Sequence, residues 1–220
     1  MMLFDKLIVF VFAVVVAAVP FEVDDRFGHI AERATYYSSS WNDGKGKVVY
    51  KNGPEGQYSV TWSGNKGNFV VGKGWNPGGS RIVAFNGTFA PNGNAYLCVY
   101  GWTTSPLVEY YIIENYGSHA PWDNPEQKSK GNVTVDGSTY TLWTKMRINK
   151  PSIQGTATFP QFWSVRDADD LRSGGSVDTG AHFKAWADNG LKLGRQNYMI
   201  VAVEGQDSNG TASVNVGVAP

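Results

Sequence analysis

Residues 106–117 read PLVEYYIIENYG. Successive side chains of a strand point to opposite faces. Val108, Tyr110 and Ile112 therefore share one face, and Leu107, Glu109, Tyr111 and Ile113 the other. Val108 and Ile112 suit a core. Glu109 then stands among apolar and aromatic neighbours, where a charge is rarely buried without a partner. Its face is either a wet outer surface or the lining of a cleft. Residues 197–206, NYMIVAVEGQ, repeat the arrangement. Tyr198, Ile200, Ala202 and Glu204 share one face, and Met199, Val201 and Val203 the other.

Two such glutamates are what glycoside hydrolysis requires: one protonates the leaving oxygen, and the other attacks or activates water at the anomeric carbon. Burial and mutual repulsion would separate their pKa values and leave one protonated near neutral pH. Periodicity alone leaves open whether the pair faces a cleft or solvent. Glu114 competes with Glu109 in the opening stretch, but its parity sets it with Tyr110 and Ile112, and it reads as a strand-end residue.

The rest of the chain supports strands. The 220 residues carry 19 basic and 19 acidic side chains, a balance that gives no electrostatic footprint for nucleic acid or an acidic membrane. Only 17% of residues are charged while 14% are aromatic, and Gly, Thr, Ser, Tyr, Trp and Val are plentiful, which reads as mostly β. Asp136–Gly137 between NVTV and STYTLW signals a tight hairpin. Short strands and turns recur at a spacing that predicts an all-β sandwich or barrel.

One segment breaks this pattern. In DTGAHFKAWADNGLKLG, Asp178 or Thr179 can cap a helix over about 179–189. Phe183 and Trp186 share a face, and Gly190 is a natural stop. His182 on this helix reads as a hydrogen-bonded structural histidine rather than a catalytic base, since no nucleophile motif accompanies it. Cys98 is the single cysteine, which excludes an intramolecular disulfide and reads as a small core residue.

The apolar run 7–19 is shorter than the about 20 residues of a membrane span. It fits the hydrophobic part of a secretory signal peptide, residues 1–18. Residues 19–33 read as a short propeptide and 34–220 as one domain. Sequons at Asn86, Asn132 and Asn209 are compatible with secretion.

Four longer stretches are more specific: YGWTTSPLVEYYIIENYG, VAVEG, GNFVVGKGWNPG and RINKPSIQGTATFPQFWSVR. Together they closely resemble the endo-1,4-β-xylanases of glycoside hydrolase family 11, in order over about residues 35–216. The resemblance implies a jelly roll of two twisted antiparallel sheets forming a cleft, with one short α-helix on the back. It also implies a retaining double displacement on xylan and xylo-oligosaccharides, with Glu109 as nucleophile and Glu204 as acid/base.

Tyr100 and Tyr111 match tyrosines that hydrogen-bond the nucleophile and the proximal sugar. Trp41 matches an aromatic platform for a glycone-side xylose. Arg147, Gln161 and Tyr198 match cleft residues, and Pro151, Ser152 and Ile153 the tip of a thumb hairpin. The expected protein is a secreted monomer with no metal or cofactor, no nucleic-acid partner and no membrane contact after signal cleavage. Ser38, Lys150, Met199, Gln206 and His119, with an extra Trp122 near it, depart from the family pattern, and their effect is expected in outer subsites, affinity and pH profile. A β-1,4-glucanase on a related jelly roll and a non-catalytic carbohydrate-binding protein are the alternatives.

Asn68 matches the neighbour of the acid/base, where relatives with Asp tend to work at acid pH and those with Asn nearer neutral. A near-neutral pH optimum is therefore expected. A pH–rate profile peaking below about pH 4, near the ordinary carboxylate pKa, would contradict it.

Overall fold

The computed structural model of the protein describes residues 36–121 and 129–218. The signal and propeptide segments assigned to 1–33 lie outside the described residues. Among the described residues thirteen strands form in chain order: β1 (Tyr37–Asn42), β2 (Lys47–Asn52), β3 (Gln57–Ser63), β4 (Asn68–Trp75), β5 (Ile82–Asn92), β6 (Ala95–Thr104), β7 (Val108–Tyr116), β8 (Gly131–Val135), β9 (Ser138–Ser152), β10 (Gly155–Arg166), β11 (Gly174–Asp178), β12 (Arg195–Gln206) and β13 (Asn209–Val218). Among the described residues one α-helix, α1, spans Thr179–Asp188, and a short 3-10 turn covers Ala168–Asp170.

The strands build an eight-stranded sheet in the order β1-β4-β12-β6-β7-β10-β9-β8 and a five-stranded sheet in the order β11-β5-β13-β3-β2. Pairing is antiparallel except between β7 and β10, which run parallel with Gln161 opposite Glu109. The local alternation of the sequence does not show this parallel junction, because strand direction is set by the long connection from β7 back to β10.

The two periodicities of each central strand become two cores. Val108, Tyr110 and Ile112 of β7 and Met199, Val201 and Val203 of β12 pack against Tyr58, Val60 and Val214 of the smaller sheet. Tyr111 and Ile113 pack with Tyr100, Trp102, Trp163 and Ile200 on the other face of the large sheet. Met199 is fully buried between the sheets, so its departure from the family pattern is a matter of core packing and not of an outer subsite. Cys98 is buried, as its size predicts.

Local signals act where expected. Asp136 and Gly137 adopt φ of 52° and 77°, the two left-handed residues of a tight hairpin turn. Asp178 caps α1 by accepting a hydrogen bond from the Ala181 N–H at 3.1 Å. Trp186 of α1 is fully buried, with its ring 5.8 Å from that of Tyr110 and 6.2 Å from that of Phe162. The helix thus packs on the face of the large sheet opposite Tyr111.

Two expectations change. His182 is buried, but neither ring nitrogen has a hydrogen-bond partner. Its ring instead meets Tyr140 edge-on at 4.6 Å. Burial, reinforced by the nearby Arg172 and Arg166 charges, pushes its pKa down to about 3, so the imidazole stays neutral.

Glu114 is not a fraying strand end; it is 1% exposed within β7. It accepts from Arg172 Nε at 2.5 Å and from the Tyr140 hydroxyl at 2.7 Å, and Arg166 lies 3.6 Å away. This cluster ties β7, β9 and β10 to the segment before β11. Removing one partner of a buried pair leaves charges uncompensated, so Glu114→Ala should lower the unfolding free energy by about 3–5 kcal/mol in urea denaturation.

Candidate active site

The face of the large sheet opposite the smaller sheet is hollow. A cavity of about 360 Å³, the size of a ligand site, is lined from β1 at one side to the β9–β10 turn at the other. In sheet order β1 and β9 stand six strands apart, about 29 Å on a flat sheet at 4.8 Å per strand. Sharing one small cavity therefore requires the sheet to curl strongly. Trp41, Asn68, Tyr100, Glu109, Tyr111, Arg147, Pro151, Gln161, Tyr198 and Glu204 all line it. With Ser152 and Ile153, which also line it, these are all of the site candidates named from the sequence.

Glu109 sits at the floor with 8% of its surface exposed. Its Oε1 accepts from the Tyr100 hydroxyl at 2.8 Å and the Tyr111 hydroxyl at 3.0 Å. Its Oε2 accepts from Gln161 Nε2 at 2.6 Å. These donors come from β6, β7 and β10. Burial raises the Glu109 pKa, and the bonds from Gln161, Tyr100 and Tyr111, with the Arg147 charge, oppose that rise. Such bonds favour the ionised carboxylate.

Glu204 is equally buried, but its surroundings differ. Its Oε2 has no hydrogen-bond partner. Burial first, and then repulsion from Glu109, raise its pKa to about 8, against weaker opposition from Tyr111, Asn68 and Arg147. Near neutral pH the raised pKa lets Glu204 carry a proton, while three hydrogen bonds favour the ionised form of Glu109 beside it, an arrangement suited to giving up a proton on one side of a bond and attacking on the other.

Several contributors escaped the sequence reading. Trp102 Nε1 donates to the Tyr100 hydroxyl at 2.6 Å and so orients the group that holds Glu109. Trp163 stacks on Tyr111, with ring centroids 3.7 Å apart and planes within 2°. Parity could have found both, since Trp102 shares a face with Tyr100 and Trp163 with Gln161. Ser39, Val70 and Phe159 also line the cavity. They are small or apolar, and nothing in their chemistry marks them out. Ser38, by contrast, bonds the Tyr50 hydroxyl at 2.8 Å.

The two carboxyls are coupled, which gives a direct check. In Glu109→Gln the repulsion disappears, and the Glu204 pKa, followed by NMR titration of its carboxyl carbon, should fall below about 8. It should stay above the ordinary 4.5, because burial remains. A Glu204 pKa unmoved by this change would show that the pair is not coupled.

Comparison with known proteins agrees with this geometry. The sequence profile described as Glycosyl hydrolases family 11 matches residues 33–215. An ethylene-inducing xylanase of Penicillium digitatum is 50% identical over 220 residues, covering 98% of this chain and all of its own. Endo-1,4-beta-xylanase 11A of Botryotinia fuckeliana is 55% identical over 182 residues, 82% of this chain and 78% of its own. A solved structure from a comparison of two major endo-1,4-beta-xylanases of Trichoderma reesei superimposes with a TM-score of 0.76 at 46% identity, covering 82% of this chain and 97% of that one. With the profile spanning most of the chain and relatives at half identity, the protein belongs to family 11 of the glycosyl hydrolases.

Proposed function

We propose that the protein hydrolyses internal β-1,4-xylosidic bonds of xylan and xylo-oligosaccharides by a retaining double displacement. Glu109 is the nucleophile and Glu204 the acid/base. The single observation that carries this reading is the unequal environment of the two carboxyls. Three donors hold Glu109, while the Glu204 pKa is raised to about 8 and its Oε2 is free of partners.

In the first step Glu204 gives its proton to the glycosidic oxygen as the bond to the anomeric carbon breaks. A Glu109 oxygen forms the new bond to that carbon, and the aglycone departs as an alcohol. In the second step Glu204, now ionised, takes a proton from water. The hydroxide displaces Glu109 from the anomeric carbon, with net retention. Retention requires the two carboxyls to stand about 5–5.5 Å apart, leaving no room for water between Glu109 and the sugar.

Other residues position the chain. Trp41 is 42% exposed at the edge of the cleft and offers a flat apolar face to a sugar ring. Tyr198 borders Tyr100 at 6.1 Å between ring centroids and extends the same aromatic wall. The turn after Pro151 is stiffened by Ser152, whose hydroxyl donates to the Gly155 carbonyl at 2.7 Å and accepts from the Gln154 N–H at 3.0 Å. This turn is the tip of a thumb over the bound chain. Xylose lacks the hydroxymethyl group of glucose, so a narrow cleft selects xylan over β-1,4-glucan. The leader-like character of residues 1–18 supports an extracellular site for this activity.

Replacement of each glutamate separates the roles. Glu109→Ala should release no xylo-oligosaccharides from xylan, and release at the wild-type rate would overturn the nucleophile assignment. Glu204→Gln should lose about 10²–10⁴ in kcat on xylan, the range of general acid–base catalysis. It should still form the glycosyl-enzyme from an aryl xylobioside whose leaving group needs no proton.

A further inference from the structure

Strand β9 turns a row of cations toward the cleft. Arg147 acts electrostatically on both Glu109 and Glu204. Lys145 has no such commitment: among the described residues no carboxylate pairs with it. Its direction is fixed by register. Lys145 stands directly opposite Gln161 in the antiparallel β9–β10 pair. Opposed residues share a face, with Cβ atoms about 4.5–5.5 Å apart. Gln161 reaches Glu109 at 2.6 Å, so that face is the cleft.

The cleft has two halves. Glu109 and Trp41 line one, whereas Lys145, Trp143, Trp163 and Gln206 line the other, and Glu204 borders both. An acid that protonates the leaving oxygen lies on the leaving-group side of the nucleophile, so the Lys145 half receives the aglycone. Apart from Glu204, no acidic side chain among the described residues lines this half. Lys145 shares this half with Trp143 and Trp163, and with no counter-charge among the described residues it gains little from neutral hydroxyls, which water supplies equally well. A carboxylate on the substrate would complete it.

We propose that this half of the cleft accepts xylan carrying uronic acid branches, with the Lys145 ammonium pairing with the carboxylate of a branch on an aglycone xylose. The proposal rests on the xylan reading above. No extra bond is made or broken: the branch leaves with the aglycone product in the first displacement. Lys150 lines the glycone half, so it provides an internal control on which half matters.

The test compares two substrates, a xylo-oligosaccharide with one glucuronosyl branch and the same compound with its uronic carboxyl reduced to the alcohol. The readout is the ratio of their kcat/KM values, with the branch located on the products by mass spectrometry. The wild-type ratio should exceed one and decline toward one in 0.5 M salt, which screens an exposed pair. Lys145→Met should lower the ratio about two- to five-fold, the size of an exposed ion pair. Lys145→Arg should keep it, and Lys150→Met should lower it less than Lys145→Met. A ratio that is the same in wild type and Lys145→Met, in an enzyme active on both substrates, would falsify the proposal. So would a branch found only on the glycone product. Failure of the wild type to cleave even unbranched xylohexaose would instead overturn the xylan reading itself.

Discussion

The site depends on one buried carboxylate kept in place by three hydrogen bonds. At 8% exposure burial disfavours the charged form of Glu109, and these bonds oppose that cost. Its donors are themselves held. Trp102 fixes the Tyr100 hydroxyl, and the Trp163 ring fixes the plane of Tyr111. Gln161 arrives on β10 because the parallel pairing sets it directly opposite Glu109. Three strands must therefore be in register before the nucleophile candidate is formed.

That register is enforced from behind. A slip of one residue in β7 would turn Val108, Tyr110 and Ile112 out of the inter-sheet core and Glu109 into it. The packing of Val108 and Ile112, both fully buried, thus decides where the carboxylate points. The same holds for β12, where Val201 and Val203 lock the face that carries Glu204. Glu114 and its arginines add a second constraint on β7 from the core side.

The arrangement has a stability consequence. The Glu204 pKa is higher in the folded state than the ordinary 4.5 it takes when unfolded. The folded state therefore binds the proton more tightly. The resulting stabilisation is complete below pH 4.5 and is lost as pH rises through about 8. The raised Glu204 pKa, which fits its proposed role as acid/base, is the same feature that weakens the fold in alkali.

The sequence by itself determined the alternation of β7 and β12, the Asp136–Gly137 hairpin, the cap and stop of α1, and the faces on which Glu109 and Glu204 lie. Each of these follows from side-chain period or from the conformational preference of one or two residues. It also marked the cleft candidates through the motifs around the two glutamates. Only the tertiary structure decided that β7 and β10 run parallel, that Glu114 is buried among arginines, and that His182 is neutral and unpartnered.

Most of all, the tertiary structure decided the meeting of the two carboxyls. Glu204 pairs with Tyr96 and Glu109 with Trp102 on the intervening β6. Those positions are six residues, about 20 Å, apart along an extended strand. No local pattern brings such positions together; the curl of an eight-stranded sheet, imposed by twist and by packing across two cores, does.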